Sequence, residues 1–483
     1  MMENGNLNID AIVNEVVAKL GAMNIGSEPK TPENNLHNSI CSSHGKNGIF
    51  GNMEEAVQAA VVSQQRLSDI CLDKRKIFIN AMREAVLANA EEIASMAVTE
   101  TGLGKYEHKV KKNMLAAQKT PGVENVVPQV FTGDKGLTLV EQAPFGVIGA
   151  ITPSTNPSET VICNGIGMIA AGNSVVFNSH PGAKKVTKFT IELLNQAIVN
   201  AGGPDNLLCV VESPTMETGK ILMTHPQIRL LVVTGGPEIV KVAMGYGKKV
   251  IAAGPGNPPV VVDETADIER AALDIVDGAA FDNNVLCIAE KEVFVVDLVA
   301  DQLVSSMESN GAYRLTRAET DMLMDKIAVT NNGKLFPNKN FVGKDIQLIL
   351  KEIGITVPES VRLAIAEVPA DHPLVFMEQL MPVLPVVRVK NVDEAIERAF
   401  VAEQGNYHTA MMHSTNINNL SKMARKMNTS IFVKNAPSYA GLGMMGEGYT
   451  TFTIASPTGE GLTSARSFTR QRRCVLRDGL RII

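Results

Sequence analysis

Residues 146–253 alternate short apolar segments with helix-length segments, and this alternation limits the fold more than any other feature of the sequence. The predicted strands cover 146–151, 174–177, 207–211, 230–233 and 250–253. The predicted helices cover 157–171, 183–201, 215–224 and 237–246. Because the strands are apolar almost throughout, we expect a parallel sheet with helices on both faces. Ligands of such sheets bind outside the carboxyl ends of the strands.

A second α/β pattern follows the first. Its predicted strands cover 259–262, 292–296, 383–389, 408–413 and 430–433, and its predicted helices cover 268–280, 392–401 and 417–426. A helical block precedes the first sheet at 53–68, 73–90, 90–101 and 105–117. A chain of 483 residues is longer than a single core usually supports. The sequence therefore predicts an α/β protein with one domain formed by 49–122 and 143–255 and another formed by 256–440.

Two further segments lie outside these domains. Residues 123–142 contain short strand patterns, and the Arg-rich tail 464–483 alternates polar and apolar residues. Alternation with a period of two is typical of a strand with one covered face. The tail is therefore a candidate strand for contact between subunits.

The N-terminal residues 1–21 are predicted to contain a separate amphipathic helix at 7–21. Ile9, Ile12, Val16 and Leu20 contribute to one apolar stripe, and the polar segment 22–48 reads as a flexible linker. A short helix is marginal in water unless its apolar face finds a partner. The residues alone leave two alternatives, a tethered docking peptide or a helix that folds back on its own domain.

Composition excludes several classes of protein. The net charge is −6, so no nucleic-acid-binding surface is expected. The six cysteines form no CxxC pair, which argues against a disulfide framework or a zinc site and favours a reducing cytosol. No apolar run is long enough for a membrane span, and the N-terminus lacks the pattern of a secretory signal.

Glycine motifs for phosphate binding need a strand, a turn and then a helix. The pattern that starts at Gly165 lies inside a predicted helix, and no helix follows the pattern that starts at Gly441, so we reject both. Thr234, Gly235 and Gly236 fit better, because they follow an apolar strand and open a helix.

Cys287 lies between a predicted helix and a predicted strand. Most single cysteines are buried core residues, and the other five cysteines keep that interpretation. Cys287 differs because of three motifs elsewhere in the chain. They are the loop Pro153-Ser-Thr-Asn156-Pro157, the turn Thr234-Gly235-Gly236, and Glu378 in Glu-Gln-Leu-Met-Pro-Val. In this order, with Cys287 in the place of the nucleophile, they resemble the aldehyde dehydrogenase superfamily.

The resemblance implies a Rossmann-type cofactor domain, an α/β catalytic domain and a β oligomerisation arm made of 123–142 and 464–483. It implies Cys287 as the catalytic nucleophile, with Asn156 and the Cys287 backbone N–H as donors to the oxyanion. It also implies a set of residues that bind the nicotinamide cofactor: Thr152, Pro153, Ser154, His180, Thr234, Gly235, Gly236, Gly254 and Glu378. No metal ligand is implied.

One departure from the superfamily concerns the general base. Hydrolytic members carry Glu-Leu-Gly-Gly-Lys after the last strand of the cofactor domain, and here Ala252 is assigned to the position of that glutamate. Without a base, water is a poor nucleophile at neutral pH. A thiol with a pKa of roughly 8.5 is already partly ionised. The resemblance therefore points to an acylating enzyme that uses coenzyme A.

Further segments narrow the resemblance. Residues 153–160, 254–259, 281–284 and 457–465 are similar to the coenzyme-A-acylating propionaldehyde and acetaldehyde dehydrogenases of bacterial microcompartments. That subfamily implies a short-chain aldehyde substrate and a homodimer or tetramer. It also implies docking of 7–21 on a microcompartment shell protein, and a location in the bacterial cytoplasm inside the microcompartment. NAD is the implied acceptor. Asn178 and Pro181 replace the usual ribose-contacting pair, which leaves NADP as an alternative.

Three other functions were considered. A hydrolytic NAD-dependent aldehyde dehydrogenase would yield the free acid. A cysteine hydrolase is disfavoured because no motif places His180, His408 or His413 beside Cys287. A shell scaffold without catalysis would leave the ordered motifs unexplained.

Overall fold

A computed structural model describes residues 47–331 and 334–483. The predicted helix 7–21 and nearly all of the linker 22–48 lie outside the described residues. Within the described ranges, no helix has the length and apolar character to cross a membrane.

The first sheet has six strands, all parallel. Their spatial order is Ile49–Phe50, Leu208–Val211, Ser174–Ser179, Val147–Thr152, Ile228–Thr234 and Lys249–Ala253. The strand order reverses beside Val147–Thr152, since the chain moves to one side after this strand and later returns to the other. A crevice outside the carboxyl ends is expected at such a switch point.

Alternate residues of these strands enter different cores, as the period of two requires. Ile148 and Ala150 pack in one buried cluster, whereas Val147 and Val233 pack in another. The first face is covered by Leu72–Ala88, Ala90–Thr101, Tyr106–Lys119, Pro157–Ala170 and Lys184–Asn200. The second face is covered by Met53–Ser68, Met216–Thr224 and Pro237–Met244. The predicted sheet covered on both sides is therefore confirmed.

The second sheet has seven strands, also parallel. Their order is Ala312–Leu315, Leu363–Glu367, Val383–Val389, Glu292–Val296, Pro259–Val262, Thr409–His413 and Ile431–Lys434. Its helices are Ile268–Ala280, Asp297–Ser309, Arg317–Ile327, Ile346–Lys351, Val392–Ala402 and Ile417–Met427. The predicted bounds 259–262, 268–280, 292–296 and 383–389 agree with the structure.

Residues 297–382 received no secondary-structure prediction, although Glu378 was assigned there to cofactor binding. This region includes the short strand Ala312–Leu315 and the hairpin formed by Ala328–Asn331 and Lys334–Pro337. The strand Ala312–Leu315 is too short to display a periodicity and contains an arginine, whereas the equally short strand Pro259–Val262 is apolar throughout. Elsewhere the predicted ends differ from the observed ends by one or two residues, which is the usual uncertainty of helix and strand boundaries.

A third sheet joins the two segments assigned to the β arm. The strands Gln129–Gly133, Gly136–Pro144 and Thr469–Arg477 are antiparallel, and the long register runs from Thr469 opposite Pro144 to Arg477 opposite Gly136. The middle strand continues two residues beyond the predicted end at 142. The remaining elements are the strand pair Ile454–Ala455 with Gly461–Leu462, the left-handed turn Phe281–Asn284, and the single-turn helices Val123–Asn125, Pro181–Ala183, Pro373–Phe376, Ser438–Leu442 and Ala465–Phe468.

Candidate active site

A cleft of about 180 Å³ lies at the switch point of the first sheet, next to the loop that carries Cys287. It brings together residues that are far apart in the sequence and that were predicted to share a site. These are Asn156, Thr234, Gly235, Gly236, Gly254, Cys287 and Glu378. The apolar part of the wall includes Val285, Leu380, Phe452 and Ile454.

The loop before Cys287 has an unusual backbone. Asp282, Asn283 and Asn284 all have positive φ, at 51°, 53° and 64°. Asp and Asn tolerate this left-handed conformation better than other non-glycine residues. The Asn284 side chain also donates to the carbonyl oxygens of Ala279 and Glu290, at 2.9 and 3.0 Å. These bonds offset the backbone strain and keep the loop in one conformation.

Lys291 also stabilises this loop, through hydrogen bonds to its carbonyl oxygens. Its ammonium is fully buried and donates to the carbonyl oxygens of Asn284 (3.0 Å) and Leu286 (3.3 Å), as well as to the Asn284 side chain. Burial lowers the pKa of Lys291 to about 8, although the charge of Glu378 opposes this shift. Lys291 is a residue that the sequence analysis missed, because nothing in the local sequence separates it from a surface lysine.

Gly256 allows the chain to pass close to the nucleophile loop. A Cβ at this position would lie 2.6 Å from the Cys287 carbonyl oxygen and 3.1 Å from the His408 ring. Any side chain would therefore displace the loop. The Gly256 N–H also points to Glu378 Oε1 at 3.5 Å.

The Cys287 thiol is partly exposed to the cleft and lies in an environment that favours its neutral form. Burial raises its pKa to about 12, and the charge of Glu378 acts in the same direction. The ammonium groups of Lys291 and Lys112 and the Cys287 backbone N–H act in the opposite direction. The free thiol is therefore protonated at neutral pH, and further positive charge in the cleft would favour the nucleophilic thiolate.

Asn156 lies at the start of the helix Pro157–Ala170, on the wall of the cleft that also contains Cys287. It is 7% exposed, and its side-chain oxygen accepts a hydrogen bond from Lys112 Nζ at 2.6 Å. Its amide nitrogen also lies 3.3 Å from Thr155 Oγ1, so one N–H group is the part of Asn156 that remains for a ligand.

The turn Thr234-Gly235-Gly236 suits the pyrophosphate of a nicotinamide dinucleotide. Gly236 is the N-cap of the helix Pro237–Met244, and nothing lies within 4 Å of the place where its Cβ would be. Backbone N–H groups at such a helix start bind phosphate. The buried hydroxyl groups of Thr152 and Ser179, at the ends of neighbouring strands, have no hydrogen-bond partner in the protein. Unsatisfied donors at this edge fit a polar ligand.

Four residues assigned to cofactor binding are not part of the cleft wall around Cys287. Thr152 is buried at the end of its strand, and its carbonyl oxygen accepts from the His180 N–H at 3.1 Å. Pro153 and Ser154 continue that loop, and the His180 ring accepts from the Gly182 N–H at 3.1 Å. All four lie at the same carboxyl edge of the sheet, and their contact with the cofactor stays a prediction.

Ala252, which the resemblance assigns to the position of the missing base, does not line the cleft. Ala252 is fully buried in the apolar core of the first sheet, whereas its neighbour Ala253 contributes to the wall of the cleft. Successive residues of a strand point to opposite faces, so a shift of one residue exchanges core and cleft. Ala253, Gly254 and Pro255 contribute no carboxylate to the cleft wall after this strand, and Glu378 is the only acidic residue among the described residues that line the cleft.

Comparisons with known proteins show the family to which the chain belongs. Residues 43–324, more than half of the chain, match the Aldehyde dehydrogenase family. The chain is 53% identical to an acetaldehyde dehydrogenase (acetylating) of Salmonella typhimurium, over 90% of this chain and 94% of the relative. It is 49% identical to a propanal dehydrogenase (CoA-propanoylating) of Citrobacter freundii, over 90% of this chain and 94% of the relative.

Solved structures show the same likeness. A propionaldehyde dehydrogenase of Rhodopseudomonas palustris, with bound CoA and an acylated cysteine, superposes with a TM-score of 0.89. It is 51% identical, and the match covers 91% of this chain and all of that structure (100%). Sequence, fold and site lead to one conclusion: the chain belongs to the aldehyde dehydrogenase family.

Proposed function

We propose that this enzyme oxidises a short-chain aldehyde to its coenzyme A thioester, with NAD as the hydride acceptor and a thioacyl intermediate on Cys287. The observation that carries the proposal is the cleft itself, where Cys287 and Asn156 lie together and Ala253 leaves no base for water. The acylating activity named for the relatives supports it. The same relatives disfavour the hydrolytic alternative.

The residues of the chain have distinct tasks in this reaction. The Cys287 thiol first releases its proton to water, which the charges of Lys291 and Lys112 favour, and the thiolate sulfur then attacks the aldehyde carbon. The Asn156 amide and the Cys287 backbone N–H donate to the developing oxyanion, and each such donor is typically worth about 3 kcal/mol. A nicotinamide held by the turn Thr234-Gly235-Gly236 and by Glu378 would accept the hydride that leaves the same carbon.

A thiol then releases the acyl group from Cys287. The coenzyme A thiolate attacks the carbonyl carbon, and the bond to Cys287 Sγ breaks, so the cysteine leaves as a thiolate and the acyl group leaves as a new thioester. This exchange needs no carboxylate base, because the attacking thiol ionises readily. We assign Glu378 to binding of the nicotinamide ribose, as the resemblance implies; its carboxylate lies 3.5 Å from the Gly256 N–H.

Omission of coenzyme A is expected to stop turnover after one event per site. We expect a burst of NADH equal to the amount of active enzyme and then a rate near zero, because water does not release the acyl group. Stopped-flow absorbance of NADH, recorded with and without coenzyme A, measures the burst and the steady rate that follows it. Steady NADH production without coenzyme A, together with free acid, would support the hydrolytic alternative.

The relatives include enzymes for acetaldehyde and for propanal, so the proposal is made for short-chain aldehydes as a class. One methylene is worth only about 1–3 kcal/mol in a pocket.

NADP stays the alternative acceptor. By the resemblance, Asn178 replaces a ribose-contacting residue. Its side-chain oxygen accepts from Thr218 Oγ1 at 2.7 Å and is thus already hydrogen-bonded within the protein. Comparison of kcat/KM for NAD and NADP decides between the two.

For the N-terminal segment we retain the proposal that 7–21 docks on a microcompartment shell protein. A similar solved structure, 49% identical, is a propionaldehyde dehydrogenase from a fucose utilisation microcompartment of Clostridium phytofermentans. That likeness supports a location inside a microcompartment in the bacterial cytoplasm.

Deletion of residues 1–20 is expected to keep kcat/KM and to abolish co-purification with shells. Activity should survive because every cleft residue lies beyond position 150. A matched control replaces Ile12 and Val16 by Asp in the full-length chain, which removes the apolar stripe without shortening the tether. A large loss of activity in the deletion would instead show that the segment belongs to the fold.

The β arm is proposed to pair subunits into a homodimer or tetramer. Val130, Phe131 and Val475 on this sheet are 57%, 59% and 64% exposed, which is unusual for apolar residues of that size on a strand. Burial against a second copy would remove this surface from water. Sedimentation at a single-chain mass would contradict the proposal.

A further inference from the structure

We infer that Lys112 is a positioning residue that orients and polarises the Asn156 amide, so that its N–H groups face the oxyanion formed on Cys287. The inference rests on the proposed function. It goes further because it assigns a role to a residue that contacts neither substrate nor cofactor.

The contact is direct and fully buried. Lys112 lies on the helix Tyr106–Lys119 and is 0% exposed. Its Nζ lies 2.6 Å from Asn156 Oδ1, 2.6 Å from Asp282 Oδ2 and 2.9 Å from Glu159 Oε1. Three oxygen atoms thus surround one ammonium group, and one of them belongs to the residue at the cleft.

The chemistry of the ammonium determines which way the Asn156 amide faces. A lysine ammonium has donors and no acceptor, so the atom of Asn156 next to it must be the oxygen. The amide nitrogen is therefore turned away from Lys112. One of its N–H groups lies 3.3 Å from Thr155 Oγ1, and Asn156 itself lines the cleft with Cys287. A neutral or accepting partner at position 112 would permit the opposite orientation, in which the oxygen would repel an oxyanion.

The same bond strengthens the donor. A charge-assisted hydrogen bond to the amide oxygen draws electron density from the nitrogen, which makes its N–H groups better donors. The pKa of Lys112 supports a permanent charge, since the carboxylates of Asp282 and Glu159 outweigh burial and hold that pKa above its ordinary value. The positive charge also lies behind the amide and favours negative charge in front of it.

Lys112 connects the two loops that must be aligned. Glu159 and Asn156 belong to the start of the helix Pro157–Ala170, whereas Asp282 lies on the left-handed stretch before Cys287. Lys109 adds a second buried ammonium, 3.0 Å from Asp282 Oδ2 and 2.6 Å from the Thr155 carbonyl oxygen. The two lysines and the two carboxylates neutralise one another.

Stability alone is a poor reason for such a cluster. Desolvation of buried charges usually cancels their attraction, and apolar residues of similar volume are often as stable or more so. The charges of the cluster instead serve to set the distance and orientation between Asn156 and Cys287.

The test is a double-mutant cycle with a matched buried control. Lys112→Met is expected to lower the rate of the NADH burst roughly 100-fold, the scale for loss of one oxyanion donor. The KM for NAD should stay unchanged. Lys112→Met should slow Asn156→Ala far less than it slows the unchanged enzyme, because both changes remove the same donor and only the effect of the Lys112 charge on Cys287 is lost in addition. Lys109→Met removes an equally buried ammonium that contacts Asp282 but not Asn156, and its loss should be much smaller.

Lys112→Arg and Lys112→Gln keep the test usable where the methionine variant does not fold. Arginine keeps charge and donors and should recover part of the rate, whereas glutamine should recover less. Equal losses for Lys112→Met and Lys109→Met, or additive losses in the cycle, would overturn the inference. Normal burst rates for Asn156→Ala would instead count against the proposed function, so the two failures can be told apart.

Discussion

Replacement of Cys287 by serine is expected to lower kcat by roughly four orders of magnitude or more, as for other nucleophiles that act by covalent catalysis. No histidine is among the described residues that line this cleft, and its one carboxylate, Glu378, lies beside the Gly256 N–H, so we expect no efficient base for a serine hydroxyl. It is far less acidic than a thiol, and the oxygen ester that it would form is a poor acyl donor to coenzyme A. NADH formation in the presence of coenzyme A measures the loss.

Cys71→Ser is the matched control. Cys71 is an exposed cysteine at the start of the helix Leu72–Ala88, and it does not line the cleft. It should keep the rate of the unchanged enzyme. Mass spectrometry after incubation with aldehyde and NAD, without coenzyme A, should find the acyl group on the peptide with Cys287 and on no peptide of Cys287→Ser. Substantial turnover by Cys287→Ser, or an adduct on another cysteine, would refute the assignment.

Replacement of Ala253 by glutamate is expected to create turnover without coenzyme A. Ala253 contributes to the wall of the cleft, so its carboxylate would reach a water molecule near the thioacyl group. General base catalysis typically contributes about 100-fold or more, and we expect the steady rate without coenzyme A to rise on that scale. Free acid measured by chromatography, together with steady NADH formation, checks the result.

Two variants isolate the effect of the carboxylate. Ala253→Gln has nearly the same volume and no base, and it should keep the single-turnover burst of the unchanged enzyme. Ala252→Glu places a charge in the apolar core of the sheet, where an unpaired carboxylate is costly, so we expect a lower Tm and little hydrolysis. A folded Ala253→Glu enzyme without any hydrolysis would show that a carboxylate at this wall does not decide between water and coenzyme A. Hydrolysis by Ala252→Glu would contradict the placement of Ala252 in the core.

Part of the site was accessible from the sequence because its motifs are local. The turn Thr234-Gly235-Gly236 and the start of the helix after Asn156 each combine a strand end, a special turn and a helix within a few residues. Cys287 and Glu378 were found only through the resemblance to a family, since neither has a local signal. Their convergence in one cleft depends on strand order, which a periodicity does not contain.

Lys112, Lys291 and Gly256 were missed for a related reason. Two lysines in an amphipathic helix usually face water, and only the buried positions of Lys109 and Lys112, three residues apart, indicate otherwise. Gly256 and Cys287 lie in loops before the strands Pro259–Val262 and Glu292–Val296, which become neighbours only in the folded second sheet. Nothing in the local sequence states that these residues meet.

The sequence by itself determined the parallel sheet covered on both faces and the second α/β block, because hydrophobic periodicity and turn residues act over short stretches of chain. Only the tertiary structure decided which alanine faces the cleft. Ala252 and Ala253 point to opposite sides of their strand. Ala252 packs in the apolar core under the helices that cover one face of the sheet, and Ala253 lines the cleft. The same holds for Lys112, whose charge has a role only because the fold places Asn156 and Asp282 around it.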